Sequence, residues 1–268
     1  MCLLIAMFQV VPDAPLIVAA NRDERLDRPA VPMTVLRERE PRILGGRDEL
    51  AGGTWLAVNE HGVVAGLTNQ PSAEGRDPTK RSRGELPLAF AAYRSAADAV
   101  SAVRGELDPA AYNPCWMLVG DRQSLFSIGV SGGAQLEVEE LDPGLHVLEN
   151  APLRSASAKA EYVRTLVAGA LAARSAHDSA ATIDALEVVL GNHQPAVPQP
   201  RTDAKGRVWP ASLSAACVHA DGYGTRSGMI ASVPAAATGV PQVLVADGRP
   251  CEAPMQDMTG LWAPAAHR

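Results

Sequence analysis

The sequence predicts an α+β fold in which two antiparallel sheets pack face to face with helices outside them. Three observations lead there. Apolar, strand-like runs come in pairs joined by short turns, and strands joined as hairpins need no βαβ crossover. The order along the chain is strands, helices, strands, helices, strands. The helical segments carry apolar stripes at the 3.6 period, so each has one face to bury. A length of 268 residues suffices for a sizeable core, and residues 1–268 are read as one domain.

Cys2 to Val11 is apolar and rich in branched residues, as a strand should be. The turn Val11-Pro12-Asp13-Ala14-Pro15 leads to a second run, Leu16 to Ala20, which closes a hairpin. That run ends in the polar tetrad Asn21-Arg22-Asp23-Glu24. Gly52-Gly53 opens a strand from Thr54 to Asn59. Glu60-His61-Gly62 turns it, and Val63 to Thr68 returns with Asn69 at its far end. Gly45-Gly46 and Gly52-Gly53 match neither GxGxxG nor a P-loop and read as turn residues. Residues 76–83 carry four basic side chains against one acid. They read as a surface loop, or alternatively as a lure for an anionic substrate.

Leu86, Ala89, Phe90 and Tyr93 recur at helical spacing, and Pro87 places the helix start near Glu85. A second helix follows Ser95, which forms a capping box with Asp98. Short strands return at Cys115–Val119, Leu125–Val130, Leu136–Leu141 and Leu145–Leu148. Gly129-Val130-Ser131-Gly132-Gly133 fits G-x-S-x-G, but the segment after it alternates with period two. Ser131 is therefore read as a hairpin residue and not as a hydrolase elbow. Two more helices carry the stripes Val163, Leu166, Val167, Ala170, Leu171 and Ile183, Leu186, Leu190, with Gly191 ending the second. Residues 192–210 hold four prolines and read as a long loop over an edge or a pocket. Ser212–His219, Gly228–Val233 and Val243–Ala246 are the last expected strands.

Composition narrows the function classes. The formal net charge is −6 and aromatics make up 4%, which disfavours nucleic acid as a partner. No apolar run approaches the roughly 18–20 residues of a membrane helix, and Leu3 to Phe8 is short for a signal segment. The expected location is the cytoplasm. Four widely spaced cysteines without a CxxC suit reduced thiols. The histidines show no pair at helical ligand spacing, so no metal site and no cofactor are expected. His61 and His219 read as structural. Repeats, heptads and charged tails are missing from the sequence, which leaves a pure scaffold role without support.

The residue with the most chemistry is Cys2. Once Met1 is removed, Cys2 carries both a thiol, with a reference pKa of about 8.5, and an α-amine near 7.7–8.0. A nucleophile and its base then share one position. The bland alternative is a small buried hydrophobe at a strand start. The tetrad Asn21–Glu24 is likewise either a polar pocket floor or a solvated turn.

These residues resemble one family. Met1-Cys2, the tetrad followed by Arg28-Pro29, and Gly52-Gly53-Thr54-Trp55-Leu56 are similar to the NRDE family of transport and Golgi organisation 2 (TANGO2) proteins. So are Leu67-Thr68-Asn69, Arg83-Gly84-Glu85-Leu86, Leu148-Glu149-Asn150-Ala151 and Gly222-Tyr223-Gly224-Thr225-Arg226. The resemblance runs through nearly the whole chain. It implies a four-layer αββα sandwich of the N-terminal nucleophile (Ntn) hydrolase kind, with Cys2 as nucleophile. A weaker resemblance, to cysteine Ntn amidases of the choloylglycine and penicillin V acylase type, implies roles for further residues. Arg22 and Asp23 would line the nucleophile, and Asn69 and Asn150 would serve the oxyanion. Arg226 would be the late arginine. Asn21, Glu24, Trp55 and Thr68 are expected to contact substrate. Glu149 departs from the pattern, where a small hydroxyl residue is common, and would make the pocket rim more acidic.

The implied function is an amide hydrolase or acyl transferase acting on a small-molecule amide or acyl substrate, with a homo-oligomer left open. The alternative is a non-catalytic carrier of haem or of a lipid or acyl-CoA on the same scaffold. The sequence lacks the CxxCH haem attachment motif.

Overall fold

The computed structural model describes residues 2–71, 75–131, 133, 135–174, 178–202, 206 and 208–263. Met1, Gly132 and part of the 192–210 loop thus lie outside the described residues. The chain opens with the hairpin of β1 (Cys2–Phe8) and β2 (Leu16–Arg25). A meander follows: β3 (Ala30–Arg37), β4 (Ile43–Asp48), β5 (Leu56–Asn59) and β6 (Val64–Asn69). After α1 (Glu85–Phe90) and α2 (Ala96–Glu106) it resumes with β7 (Cys115–Gly120), β8 (Leu125–Val130) and β9 (Glu137–Glu140). Next come β10 (Gly144–Leu148), α3 (Ala158–Ala172) and α4 (Ser179–Leu190). The last strands are β11 (Arg201–Thr202), β12 (Val208–Trp209), β13 (His219–Ala220), β14 (Tyr223–Val233), β15 (Gln242–Asp247) and β16 (Gln256–Asp257).

Two seven-stranded antiparallel sheets result. One runs β10-β1-β2-β14-β15-β16 with β13 on β14, and the other is the sequential meander β3 to β9. Period-two alternation sorts their side chains. Leu4, Ala6, Phe8, Leu16, Val18 and Ala20 face the other sheet and pack with its Leu44, Leu56, Val58 and Leu118. Leu3, Ile5, Ile17 and Ala19 point the opposite way, against Val163 and Val167 of α3 and Leu186 and Leu190 of α4. On the second sheet, Ala65, Met117 and Val119 receive Leu86, Phe90, Val100 and Val103 of α1 and α2. The layers are therefore helix, sheet, sheet, helix, as the resemblance implies. Among the described residues no helix is long and apolar enough to cross a membrane.

Several boundaries differ from the sequence reading. β3 and β4 occupy a stretch with no predicted element. β3 contains Pro32 and lies at a sheet edge, where proline is tolerated. Gly45-Gly46 are not turn residues but lie inside β4. A Cβ on Gly46 would come within 1.9 Å of the Trp55 ring, and one on Gly45 within 2.5 Å of the Leu56 carbonyl oxygen. The pair is there for close approach. Gly52 and Gly53 do turn, both at positive φ. Ser212–His219 is mainly a 3₁₀ turn (Ala211–Ser214) leading to the short β13. The tetrad Asn21–Glu24 does not follow β2 but belongs to it.

Ser95 caps α2 as expected, accepting from the Asp98 N–H. Ser131 joins two antiparallel strands, β8 and β9, so it is not on a strand-to-helix elbow. Gly46→Ala is expected to force the Trp55 ring aside and destabilise the fold by about 1–3 kcal/mol. Urea unfolding would show this as a lower midpoint with an unchanged slope.

Candidate active site

Cys2 begins β1 and pairs with Arg22 of β2. Alternation turns both side chains toward the inter-sheet space, and at this end of the sheets that space is a polar cavity of about 120 Å³. Cys2, Arg22, Asp23, Glu24, Trp55 and Asn69 border it. The Arg22 guanidinium lies 4.4 Å over the Trp55 ring, a cation–π contact strengthened by burial. Asp48 fixes the arginines: it accepts from Arg28 Nε at 2.6 Å and Arg22 at 3.4 Å. Burial alone would raise the Asp48 carboxyl, but Arg28 and the Ala51 and Leu50 N–H groups hold it below its ordinary value. Arg28, Arg76, Arg81 and Arg83 also line the cavity, so five arginines face Asp23, Glu24 and Asp48. The rim carries a net positive charge. Three of the basic side chains of residues 76–83 thus border the site.

The Cys2 thiol is buried, and burial pushes its pKa up; Asp23 adds to the rise and Arg22 opposes it. The Cys2 backbone N–H donates to Asn150 Oδ1 at 3.1 Å. Asn150 Nδ2 in turn donates to the Asn69 carbonyl oxygen at 2.5 Å. Asn150 therefore bridges the Cys2 backbone nitrogen and the Asn69 backbone. Glu149 stands on the rim of the adjoining groove, so a carboxylate is present there. Its carboxylate accepts from Ser157 Oγ, the N-cap of α3, and from the Asn150 N–H.

Asp23 points to the helix layer. It accepts from Thr225 Oγ1 at 2.6 Å and lies 3.6 Å from Lys159 Nζ of α3. Burial pushes its carboxyl up, while Lys159 and Thr225 pull it back. Lys159 is itself buried and escaped the sequence reading. The signal for it exists: Lys159 stands four residues before Val163, on the apolar stripe of α3.

Three expected site residues are placed elsewhere. Asn21 is buried on the helix face of β2, where its Nδ2 donates to the Leu190 and Ala216 carbonyls, both at 2.9 Å. Thr68 is fully buried and donates to the Glu149 carbonyl at 2.7 Å, tying the two sheets together. Arg226 stands at a β-bulge in β14 and donates to the Arg25 and Leu26 carbonyls; it does not border the cavity. His61 occupies the β5–β6 turn, as expected.

A larger groove of about 1140 Å³ opens beside the cavity and shares Asn69, Arg76, Arg83 and Asn113 with it. Its walls include Pro71, Pro114, Ala151, Leu213 and Tyr223, and the 192–210 segment contributes Val197 and Trp209. That proline-rich segment therefore does cover a pocket. Among the described residues, the group that gathers three or more metal-ligating side chains, His193, His219 and Cys251, lies outside this site.

The fold is an αββα sandwich, two antiparallel sheets between helix layers, with a cysteine at the head of its first strand. The chain is similar in fold to a mutant of the conjugated bile acid hydrolase of Clostridium perfringens, with a TM-score of 0.55 and 8% identity over 98% of this chain and 94% of that one. It is similar in sequence to the transport and Golgi organization 2 homolog of Mus musculus, 31% identical over 233 residues and 82% of each chain. The Homo sapiens homolog is 30% identical over 235 residues, again 82% of each. The chain belongs to the Transport and Golgi organisation 2 (TANGO2) family, which it matches over residues 1–238.

Lys159→Met tests the buried pair. Without the cation the Asp23 carboxyl rises further above its unfolded value, so ionised Asp23 costs the folded chain more. Stability at neutral pH should drop by about 3–5 kcal/mol. A carboxyl with a raised folded pKa favours the folded state at low pH, so part of that loss should return by about pH 5. Urea titrations of both proteins at the two pH values check it.

Proposed function

We propose that this protein is an N-terminal cysteine hydrolase or acyl transferase that cleaves an amide C–N bond, or a thioester, of a small acyl substrate. The carrying observation is the hydrogen bond from Cys2 N to Asn150 Oδ1 at the edge of an arginine-rimmed cavity. With Met1 removed, that nitrogen is the α-amine, held by its acceptor beside the thiol. A buried thiol with a raised pKa keeps its proton at rest, so it needs a base at the moment of attack.

The amine takes the thiol proton as sulfur bonds to the substrate carbonyl carbon. Asn69 donates to the oxyanion, a contribution of roughly 10²–10³ in rate for a donor of this class. The tetrahedral species collapses, the C–N bond breaks, and the α-ammonium returns the proton to the leaving amine. Water, or a second amine, then attacks the thioester and restores the thiol. Asp23 balances the charge of the transient ammonium, and Arg22 that of the forming thiolate. Glu24 and Trp55 shape the cavity wall, and the adjoining groove takes the acyl chain.

A second reading has its own support. The size and apolar walls of the groove also suit a carrier of haem, lipid or acyl-CoA in which Cys2 does no chemistry. Intact-mass measurement separates the two, because a retained Met1 blocks the amine. The enzyme reading expects a chain lacking Met1 and an acyl electrophile attached at Cys2 by peptide mapping. It also expects Cys2→Ala to fold normally and lose that label. Equal labelling of Cys2→Ala, or a chain that keeps Met1, would sink it.

A further inference from the structure

A second cluster of reactive side chains lies outside the cavity of Cys2, where three segments distant in sequence meet. His193 follows the end of α4, Cys217 and His219 lead into β13, and Cys251 sits in the turn after β15. Cys217 Sγ is 3.6 Å from Cys251 Sγ and 3.8 Å from His219 Nε2, and His219 Nε2 is 3.2 Å from Cys251 Sγ. The His193 and His219 rings meet edge-on with centroids 5.5 Å apart. Ligand atoms of His193, His219 and Cys251 all lie within 4.8 Å of one another.

We propose that His193, Cys217, His219 and Cys251 hold one zinc ion in a closed, structural site. Zinc bonds of about 2.3 Å to sulfur and 2.0–2.1 Å to nitrogen, at tetrahedral angles, separate neighbouring ligand atoms by about 3.4–3.8 Å. The separations of 3.2, 3.6 and 3.8 Å come within about 0.2–0.4 Å of that spacing, and the exposed His193, grouped with His219 and Cys251, would turn in to complete the set. Two sulfurs and two imidazole nitrogens are a donor set that selects zinc. A second observation is independent of the ligand atoms. Glu252 Oε1 lies 4.0 Å from His219 Nδ1, so a carboxylate stands behind the imidazole while Nε2 faces the sulfurs. Zinc-bound histidines characteristically donate to an outer partner of this kind; here Glu252, also held by Arg249, would have to close from 4.0 Å to hydrogen-bond distance.

The frame around the cluster is already tied. Cys217 N–H donates to the Asn192 carbonyl at 2.8 Å. Asn21 clamps the Leu190 and Ala216 carbonyls, one step from each of those segments. Binding would replace two S–H bonds by two Zn–S bonds and release two protons, with no change of oxidation state. The expectation of no metal site rested on spacing along the chain, and these ligands are assembled across it. Cys251 lies beyond the 1–238 family match.

Cobalt(II) is the optical probe. The full chain, reduced and stripped with a chelator, should bind one equivalent. It should then show the thiolate charge-transfer band and the visible bands of tetrahedral cobalt, and zinc should erase both. His193 is exposed, so His193→Ala should fold normally and lose zinc affinity by at least about tenfold, as should Cys251→Ser; Glu252→Gln should lose about tenfold. Cys2→Ala should keep the full spectrum, which separates this test from the one on Cys2. The proposal is overturned if the reduced wild-type chain shows no tetrahedral cobalt spectrum. It is equally overturned if His193→Ala and Cys251→Ser bind zinc unchanged, or if the native chain carries a Cys217–Cys251 disulfide and no zinc.

Discussion

The register between β1 and β2 is the constraint on which the rest of the structure depends. Cys2 stands opposite Arg22, Leu4 opposite Ala20 and Ala6 opposite Val18. Those residues face the second sheet, and their neighbours face α3 and α4. A one-residue slip would exchange the two faces along a whole strand. It would bury the Cys2 sulfur among the helix-facing apolar residues and turn Leu3 and Ile5 toward the other sheet. The same apolar packing that fixes the sandwich therefore fixes the direction of the sulfur. No separate device is needed to aim it.

That register also sets the electrostatics. Arg22 is buried between Cys2 and the Trp55 ring, and a buried cation is costly unless it is paired. Asp48 meets the need and is itself held by Arg28. Asp48 ends β4, and the glycine pair just before it lets Trp55 come close enough to cover Arg22. The cavity, the arginine and the doubled glycine form one arrangement, in which each residue makes its neighbour tolerable. The positive rim left over favours an anionic group in the cavity over a cationic one.

Much of this was legible in the sequence, and the failures share a cause. Strands with clean alternation, helices with apolar stripes and the Ser95 cap could be read from local pattern. β3 and β4 could not, because Pro32 and Gly45-Gly46 are locally strand-breaking and are tolerated only through tertiary context. The motifs name Asn69, Arg22 and Glu24, which border the cavity. They equally name Asn21, Thr68 and Arg226, which do not, because a motif names residues without saying which face of a strand each occupies. Lys159 was missed because one polar residue on an apolar stripe looks like noise until its partner, Asp23, is brought over by folding.

The tetrad Asn21-Arg22-Asp23-Glu24 shows what strand geometry does with a contiguous motif. Read as a turn, it would be four solvated side chains with one role. As part of β2 it divides. Arg22 and Glu24 line the cavity, Asn21 reaches into the helix layer, and Asp23 does both, bordering the cavity while it meets Lys159. Asp23 meets Lys159 at the start of α3, and Asn21 holds the end of α4 and the segment before β13. The pair thus ties down α3 and the segment before β13, which flank the groove, together with the end of α4, from the strand that pairs with Cys2. Substitutions at alternate positions of this one motif should therefore act on different properties. Arg22 and Glu24 bear on the cavity, Asn21 bears on the frame that holds the cavity, the groove and the cysteine–histidine cluster in register, and Asp23 bears on both.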